Sequence, residues 1–373
     1  MHVVARGTVI RSREGTDLQS CAFPQVGVLP GGRWIVGCRA ARSKAGKEGQ
    51  HVLQCVSDDE GGSWSPGEAP FAAPLVEERP GQLRAYAPTA LGGNRVLATL
   101  YWVDNSDPGL PFFNEKTQGL LDSRILFAES RDRGESWSAP ALRDTTPYRV
   151  PTPITGPVLR FPDGELVCQF ETNKHYEDAE PWIHSSVLMF SRDGGRSWPR
   201  HCVVTRDPRI FSWDQRPQLL ADGTILDLFW TYDNAAAAYL TIHARESRDR
   251  GRTWSELRDT GVAGQPAQPV PLPDGRTAMV FVDRSGAPAI RARVSHDGGR
   301  SWPQASELSL YQSALGSQSS RKDGMADAWS EMEKFSVGLP ATAILANSDF
   351  LVVYYAGASP DSTSIHWVRV RAD

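Results

Sequence analysis

Along the chain one unit recurs: an apolar run, a tight turn rich in Gly, Asp or Asn, and a second apolar run. It reads "VGVLPGGRWIVGC", "PTALGGNRVLATLYW", "PVLRFPDGELVCQF", "PQLLADGTILDLFW", "PVPLPDGRTAMVFV" and "ATAILANSDFLVVYY". Each run has strand length and is rich in β-branched and aromatic residues, and the turn residues supply the positive φ that a two-strand hairpin needs. The pattern therefore predicts six hairpins of mostly buried strands.

A second repeat lies out of phase with the first. Ser-x-Asp-x-Gly-x-x-Trp begins at Ser57, Ser130, Ser191, Ser247 and Ser295, at intervals of 73, 61, 56 and 48 residues. A repeat at this spacing signals a modular architecture. Apolar segments flank it, as in "SSVLMFSRDGGRSWPRHCVV", so each copy falls between a third and a fourth strand. The fold class that follows is all-β, a six-bladed β-propeller of four-stranded blades. The last blade lacks a box, and "HVVARGTVI" is a spare strand. Residues 2–10 are predicted to lie beside residues 363–371, closing the ring and removing an exposed edge. Residues 310–335 break the pattern. Met325, Ala328, Trp329, Met332 and Phe335 fall at helical spacing there, and the segment reads as a short amphipathic helix covering apolar surface rather than as a lid.

Length alone would permit two or three domains, but blades share a continuous core, so residues 1–373 read as a single domain. Twelve Trp, 33 Gly and 27 Pro suit many short strands joined by tight turns. A net charge of -4 without a Lys/Arg-rich run excludes a nucleic-acid binder. No apolar run approaches the roughly 20 residues of a membrane span, and the start of the chain lacks the apolar core of a signal peptide. A cytoplasmic chain is expected, with a secreted form that has lost its leader as the alternative. Five cysteines without Cys-x-x-Cys and eight histidines without metal spacing predict no disulfide framework, metal or cofactor. The expected partner is a glycan or small sugar ligand.

The repeated Ser-x-Asp-x-Gly-x-x-Trp turns on a propeller resemble the Asp boxes of the bacterial sialidase (neuraminidase) superfamily, and the resemblance covers nearly the whole chain. It implies that Ser and Asp bond the turn backbone, that Gly takes the unusual dihedral, and that Trp wedges into apolar space. It also implies that the boxes lie on the face opposite the active site. The turns inside the hairpins lie on that far face too, so the ligand mouth is built from residues just before each first strand and just after each second strand.

That rule gathers aromatics, carboxylates and arginines, the mixture a sugar pocket uses. Phe23, Gln25, Arg84, Tyr86, Thr152, Thr155, Trp213, Asp214, Gln215, Arg216, Gln265, Gln268 and Glu333 precede first strands. Arg39, Arg42, His51, Asp104, Asp107, Glu115, Arg124, Glu171, Lys174, His175, Trp182, His184, Tyr232, Asp233, Asp283, Arg284, Tyr354 and Tyr355 follow second strands. The family's own catalytic set is not reproduced. Its first arginine lies in Phe-Arg-Ile-Pro, where this chain has "AFPQV". The following loop, "RAARSKAGKEGQH", offers Glu48 but no Asp, and Arg216 and Trp230 stand near the family's Glu and Arg at the fourth blade.

The catalytic candidates are therefore Glu171, Asp214 and Tyr232. Asp214, held ionised by Arg216, suits a nucleophile or base; Glu171, its pKa raised by burial, suits a general acid; Tyr232 is a substrate contact or an alternative nucleophile. Arg39, Arg84, Tyr86, His175, Trp213, Arg216 and Asp233 are the substrate-binding candidates. The function expected is that of an exo-glycosidase removing a terminal, possibly acidic, sugar. The alternatives are a polysaccharide or uronate lyase, with Tyr232 or His175 removing a proton, and a non-catalytic glycan-binding propeller.

Overall fold

The computed structural model describes residues 1–152 and 156–372. Each of the six apolar units forms its antiparallel hairpin, from Ser20–Val28 with Trp34–Ala41 to Val337–Ile344 with Phe350–Ser359. Four sheets stand alone as blades. One runs Gly81–Gly92, Arg95–Asp104, Ser123–Ser130, Ala141–Leu142. The other three, of five strands each, are built around Leu166–Thr172, Ile225–Asp233 and Thr277–Asp283.

The expectation of six separate four-stranded blades is corrected. The remaining strands form one seven-stranded sheet: Val337–Ile344, Phe350–Ser359 and Ser362–Arg371 continue into Ser20–Val28, Trp34–Ala41 and His51–Ser57. The junction is a parallel pairing of Ser20 with Thr363. Ser20 Oγ donates to Pro360 O at 2.9 Å and Thr363 Oγ1 to Cys21 O at 2.8 Å, so chain start and chain end are sewn into a single sheet. The N-terminal strand His2–Ile10 pairs along Ser362–Arg371, from His2 opposite Arg371 to Ile10 opposite Ile365.

Apolar side chains lock neighbouring sheets face to face. Leu97 and Phe127 cluster with Cys168 and Val187, Phe190 with Phe229, Leu228 with Phe281, Val280 with Val352, and Val52 with Leu83 and Leu100, while Val26, Trp34, Val353 and Trp367 form a cluster within the seven-stranded sheet. Buried sheet faces of this extent are what hold a propeller's blades in a ring.

The five Ser-x-Asp-x-Gly-x-x-Trp turns share one set of hydrogen bonds. In the first, Gly61 N donates to Ser57 Oγ at 2.8 Å, Ser57 Oγ to Asp59 Oδ1 at 2.9 Å, and Ser63 N to Asp59 Oδ1 at 2.8 Å. Ser130, Ser191, Ser247 and Ser295 bond Gly134, Gly195, Gly251 and Gly299 in the same way. These glycines have φ between 78° and 90°, a region in which a Cβ is strained. Arginines cross to the next blade's turn: Arg200 Nη1 donates to Arg250 O, and Arg258 to Gly299 O and Arg300 O.

These bonds favour ionised carboxylates. Donation from the Ser63, Ser136 and Thr253 hydroxyls, then from their backbone N–H groups, holds Asp59, Asp132 and Asp249 down at about 2. Asp193 and Asp297 also reach about 2, against an opposing burial cost. Because the folded values lie below the ordinary 3.8, the stability they contribute is present above that pH and lost as pH falls through about 2. Tryptophan fluorescence should therefore report a steep fall in Tm across that window. Asp132→Ala with Asp249→Ala should flatten it, and an unchanged slope would remove the boxes as its cause.

The helix of the 310–335 segment occupies only Met325–Lys334, and Leu308–Gln312 belongs to a strand. Met325 and Ala328 face the core, while Glu331 pairs with buried Lys322 at 3.0 Å.

Candidate active site

Backbone irregularities at one place in several sheets build the site. The first strand carries a bulge between Ala22 and Gln25, between Leu83 and Ala85, between Trp213 and Arg216, and between Gly338 and Ala341. A bulge adds a residue the partner strand cannot pair and re-aims its side chain. Three of the residues so displaced, Phe23, Asp214 and Leu339, have φ of 56°, 50° and 38°, unusual for residues with a Cβ. These three and Arg84 line a single cavity of about 190 Å³. No residue of the five box turns lines it.

Glu171 and Asp214 share this cavity, with Trp213, Trp230 and Trp329 as aromatic walls. Gln215 N, next in chain to Asp214, donates to Glu171 Oε1 at 3.4 Å, and His184 Nε2 lies 3.3 Å from Glu171 Oε2. Burial pushes the Glu171 carboxyl well above its usual range, and the neighbouring Asp214 pushes it further. Burial also lowers His184 to about 3, so its contact with Glu171 joins two neutral groups rather than an ion pair. The expectation that Arg216 holds Asp214 ionised is corrected: burial outweighs Arg216, and the Asp214 pKa is raised. Of the two, Glu171 keeps its proton more strongly.

Buried basic side chains share the cavity with the pair. Arg216 is fully buried and lowered to about 10, burial outweighing Asp214 and Glu171. Arg84 lies 4.2 Å from the centre of the Phe112 ring, and burial lowers its pKa as well. Lys44 Nζ donates to Met332 O at 2.7 Å, Phe335 O at 2.5 Å and Tyr355 Oη at 3.2 Å, tying its loop to the end of the helix. That helix is more than a cover: Trp329, Met332 and Glu333 form cavity wall.

Arg84, Trp213 and Arg216 join the carboxyl pair at the cavity, whereas five other candidates stand away from it. Arg39 is wholly buried and organises the loop that carries Lys44, donating to Gln50 Oε1 and Lys44 O at 2.8 Å and to Gly46 O at 2.7 Å. Tyr86 faces the space between sheets, edge-on to Phe71 and Trp137, its hydroxyl donating to Gln54 Oε1. Tyr232 stacks behind Trp213 at 4.9 Å, and burial raises its phenol to about 12. Asp233 shapes a turn, accepting from Ala235 N and Ala236 N and pairing with Arg209. His175 lies in a loop bridged to Leu120. Thr155 and the side chain of Thr152 lie outside the described residues.

Phe23, Gln25, Gln265, Arg284, Glu333 and Tyr355 satisfied the mouth rule without being given a chemical role, and all line the cavity. Lys44, Tyr101 and Asn173 were missed. Among the described residues, no group of three His, Cys, Asp or Glu side chains is placed to hold a metal ion, and no helix is long and apolar enough to cross a membrane.

Known proteins match just under half of this chain in sequence and nearly all of it in fold. A family described as BNR repeat-like domain matches residues 93–263. A sialidase from Micromonospora viridifaciens is 26% identical over 204 residues, a match covering 48% of this chain and 31% of that protein. Among solved structures, a protein of unknown function from Dyadobacter fermentans superposes with a TM-score of 0.75 at 18% identity, covering 99% of both chains. A Hadza microbial sialidase gives 0.64 at 16% identity, covering 94% of this chain and 66% of the other. NanB sialidase from Streptococcus pneumoniae gives 0.63 at 12% identity, covering 98% and 70%.

Proposed function

We propose, from the likeness of this chain to BNR-repeat propellers and to a sialidase, that it is an exo-acting glycosidase cleaving a terminal acidic sugar from a glycan. The observation that carries the reading is the placement of two buried carboxyl groups, Glu171 and Asp214, in one cavity walled by tryptophans. Glycoside hydrolysis needs an acid to protonate the departing oxygen and a second group to act as nucleophile or base. Glu171, which retains its proton, is the general acid, and Asp214 is the group that ionises first.

An acidic substrate is favoured by charge. Arg84, Arg216 and Arg284 line the cavity, while burial raises the Glu171 and Glu333 carboxyls and lowers the Lys44 ammonium, so the excess rests on the three arginines. A sugar carboxylate would offset that excess, and the tryptophan faces suit the ring. The experiment is release of fluorophore from a panel of aryl glycosides of sialic, glucuronic and galacturonic acids and of neutral sugars. Turnover of an acidic member in preference to neutral ones is expected. Binding without turnover, or a product absorbing through a new carbon–carbon double bond, would replace hydrolysis by recognition or elimination.

A further inference from the structure

We propose that Gln265 is a positioning residue that fixes Asp214 so that it works through one defined oxygen, Oδ1. The inference rests on the reading of Asp214 as a working carboxyl. Gln265 is buried, and its Nε2 donates to Asp214 Oδ2. The amide cannot be turned round, because Gln265 Oε1 accepts from Arg284 Nη1 at 2.8 Å and a guanidinium has donors only. Oxygen must face Arg284 and nitrogen must face Asp214.

Arg284 is held as firmly. Its Nε donates to Val337 O at 2.9 Å, and its guanidinium lies 3.9 Å from the centre of the Phe335 ring. The polarity of every bond from Val337 O through Arg284 and Gln265 to Asp214 is thus set by the chemistry of a group that can only donate. A proton on Asp214 Oδ2 would oppose the Gln265 N–H, so the proton resides on Oδ1 when the carboxyl is neutral, and Oδ1 presents the free lone pairs when it is ionised. Asp214 stands on a bulge at φ 50°, an uncommon backbone conformation for a residue with a Cβ, and the Gln265 amide fixes the side chain that this bulge presents.

The test uses the full chain with Gln265→Leu and Gln265→Glu, Tm being followed for each. On the glycoside the wild type turns over, Gln265→Leu should lower kcat about 100-fold with KM within about twofold, as expected for a misaimed group. In Gln265→Glu the introduced carboxyl can replace the amide donor only while protonated, so activity should return toward the acidic side and vanish as pH rises. A merely structural role would not create that profile. The second readout needs no turnover: the infrared carboxyl band assigned to Asp214 by its loss in Asp214→Asn should titrate at higher pH in Gln265→Leu. An unmoved band, or an unchanged kcat in a folded Gln265→Leu, overturns the proposal. If the wild type hydrolyses no glycoside, the functional reading fails by itself and the band still decides the role of Gln265.

Discussion

Glu171→Gln is expected to lower kcat/KM by about 10²- to 10⁴-fold on a glycoside with a poor leaving group, and far less on an activated aryl glycoside that departs without a proton. That contrast separates a general acid from a binding group, whose loss would weaken both substrates alike. The same substitution carries a stability readout of opposite sign. Burial and Asp214 raise the Glu171 pKa in the folded chain, so the folded state holds this proton more tightly than the unfolded state does. The stability gained is complete below the ordinary 4.5 and is lost as pH rises through the folded value. Glutamine does not titrate, so the Tm of Glu171→Gln should gain on the wild type as pH rises across that window. A Tm difference independent of pH would show that Glu171 is an ordinary carboxylate and not the acid.

The strands were legible because a buried hairpin leaves its apolar runs and its turn in the local sequence. The seven-stranded sheet was not, since Ser20 and Thr363 meet across nearly the whole chain through a parallel contact that no local pattern encodes. At the site, the mouth rule found Arg84, Glu171, Asp214 and Arg216 because strand ends sort residues by face. It failed where the cross-strand partner decides. Tyr232 and Tyr355 both follow second strands, yet Tyr232 lies opposite Phe211 and is buried behind Trp213, whereas Tyr355 lies opposite Gly338 and lines the cavity. In the loop after Trp34–Ala41 the residue that reaches the cavity is Lys44 rather than an acid, and Arg39, expected to bind substrate, is the scaffold of that loop. At Asp214 the cost of burying the charged form likewise outweighs the nearby arginine, because the two act on a carboxyl in opposite directions and the sequence shows the arginine but not the depth of burial.

Gly338→Ala is expected to disable the site although residue 338 bears no side chain. A Cβ built there would overlap Arg284 Nη2 and stand 2.9 Å from Tyr355 Oη, too near for either to remain. Arg284 cannot swing aside without giving up Val337 O or Gln265 Oε1, and release of Gln265 frees Asp214 from its fixed aim. Overpacking of this kind costs about 1–3 kcal/mol, visible as a lower Tm, and the misplaced carboxyl should lower kcat about 100-fold. Gly316→Ala is the control, for a Cβ there meets nothing within 4 Å, and it should change neither quantity. The decisive comparison is the double substitution. If the methyl acts by displacing Arg284, then Gly338→Ala should add little once Arg284→Ala has removed the guanidinium, because the two changes break the same connection. Losses that simply add would place the effect of the methyl on Tyr355 instead, and would assign that hydroxyl, rather than the Arg284 relay, the larger part in the site.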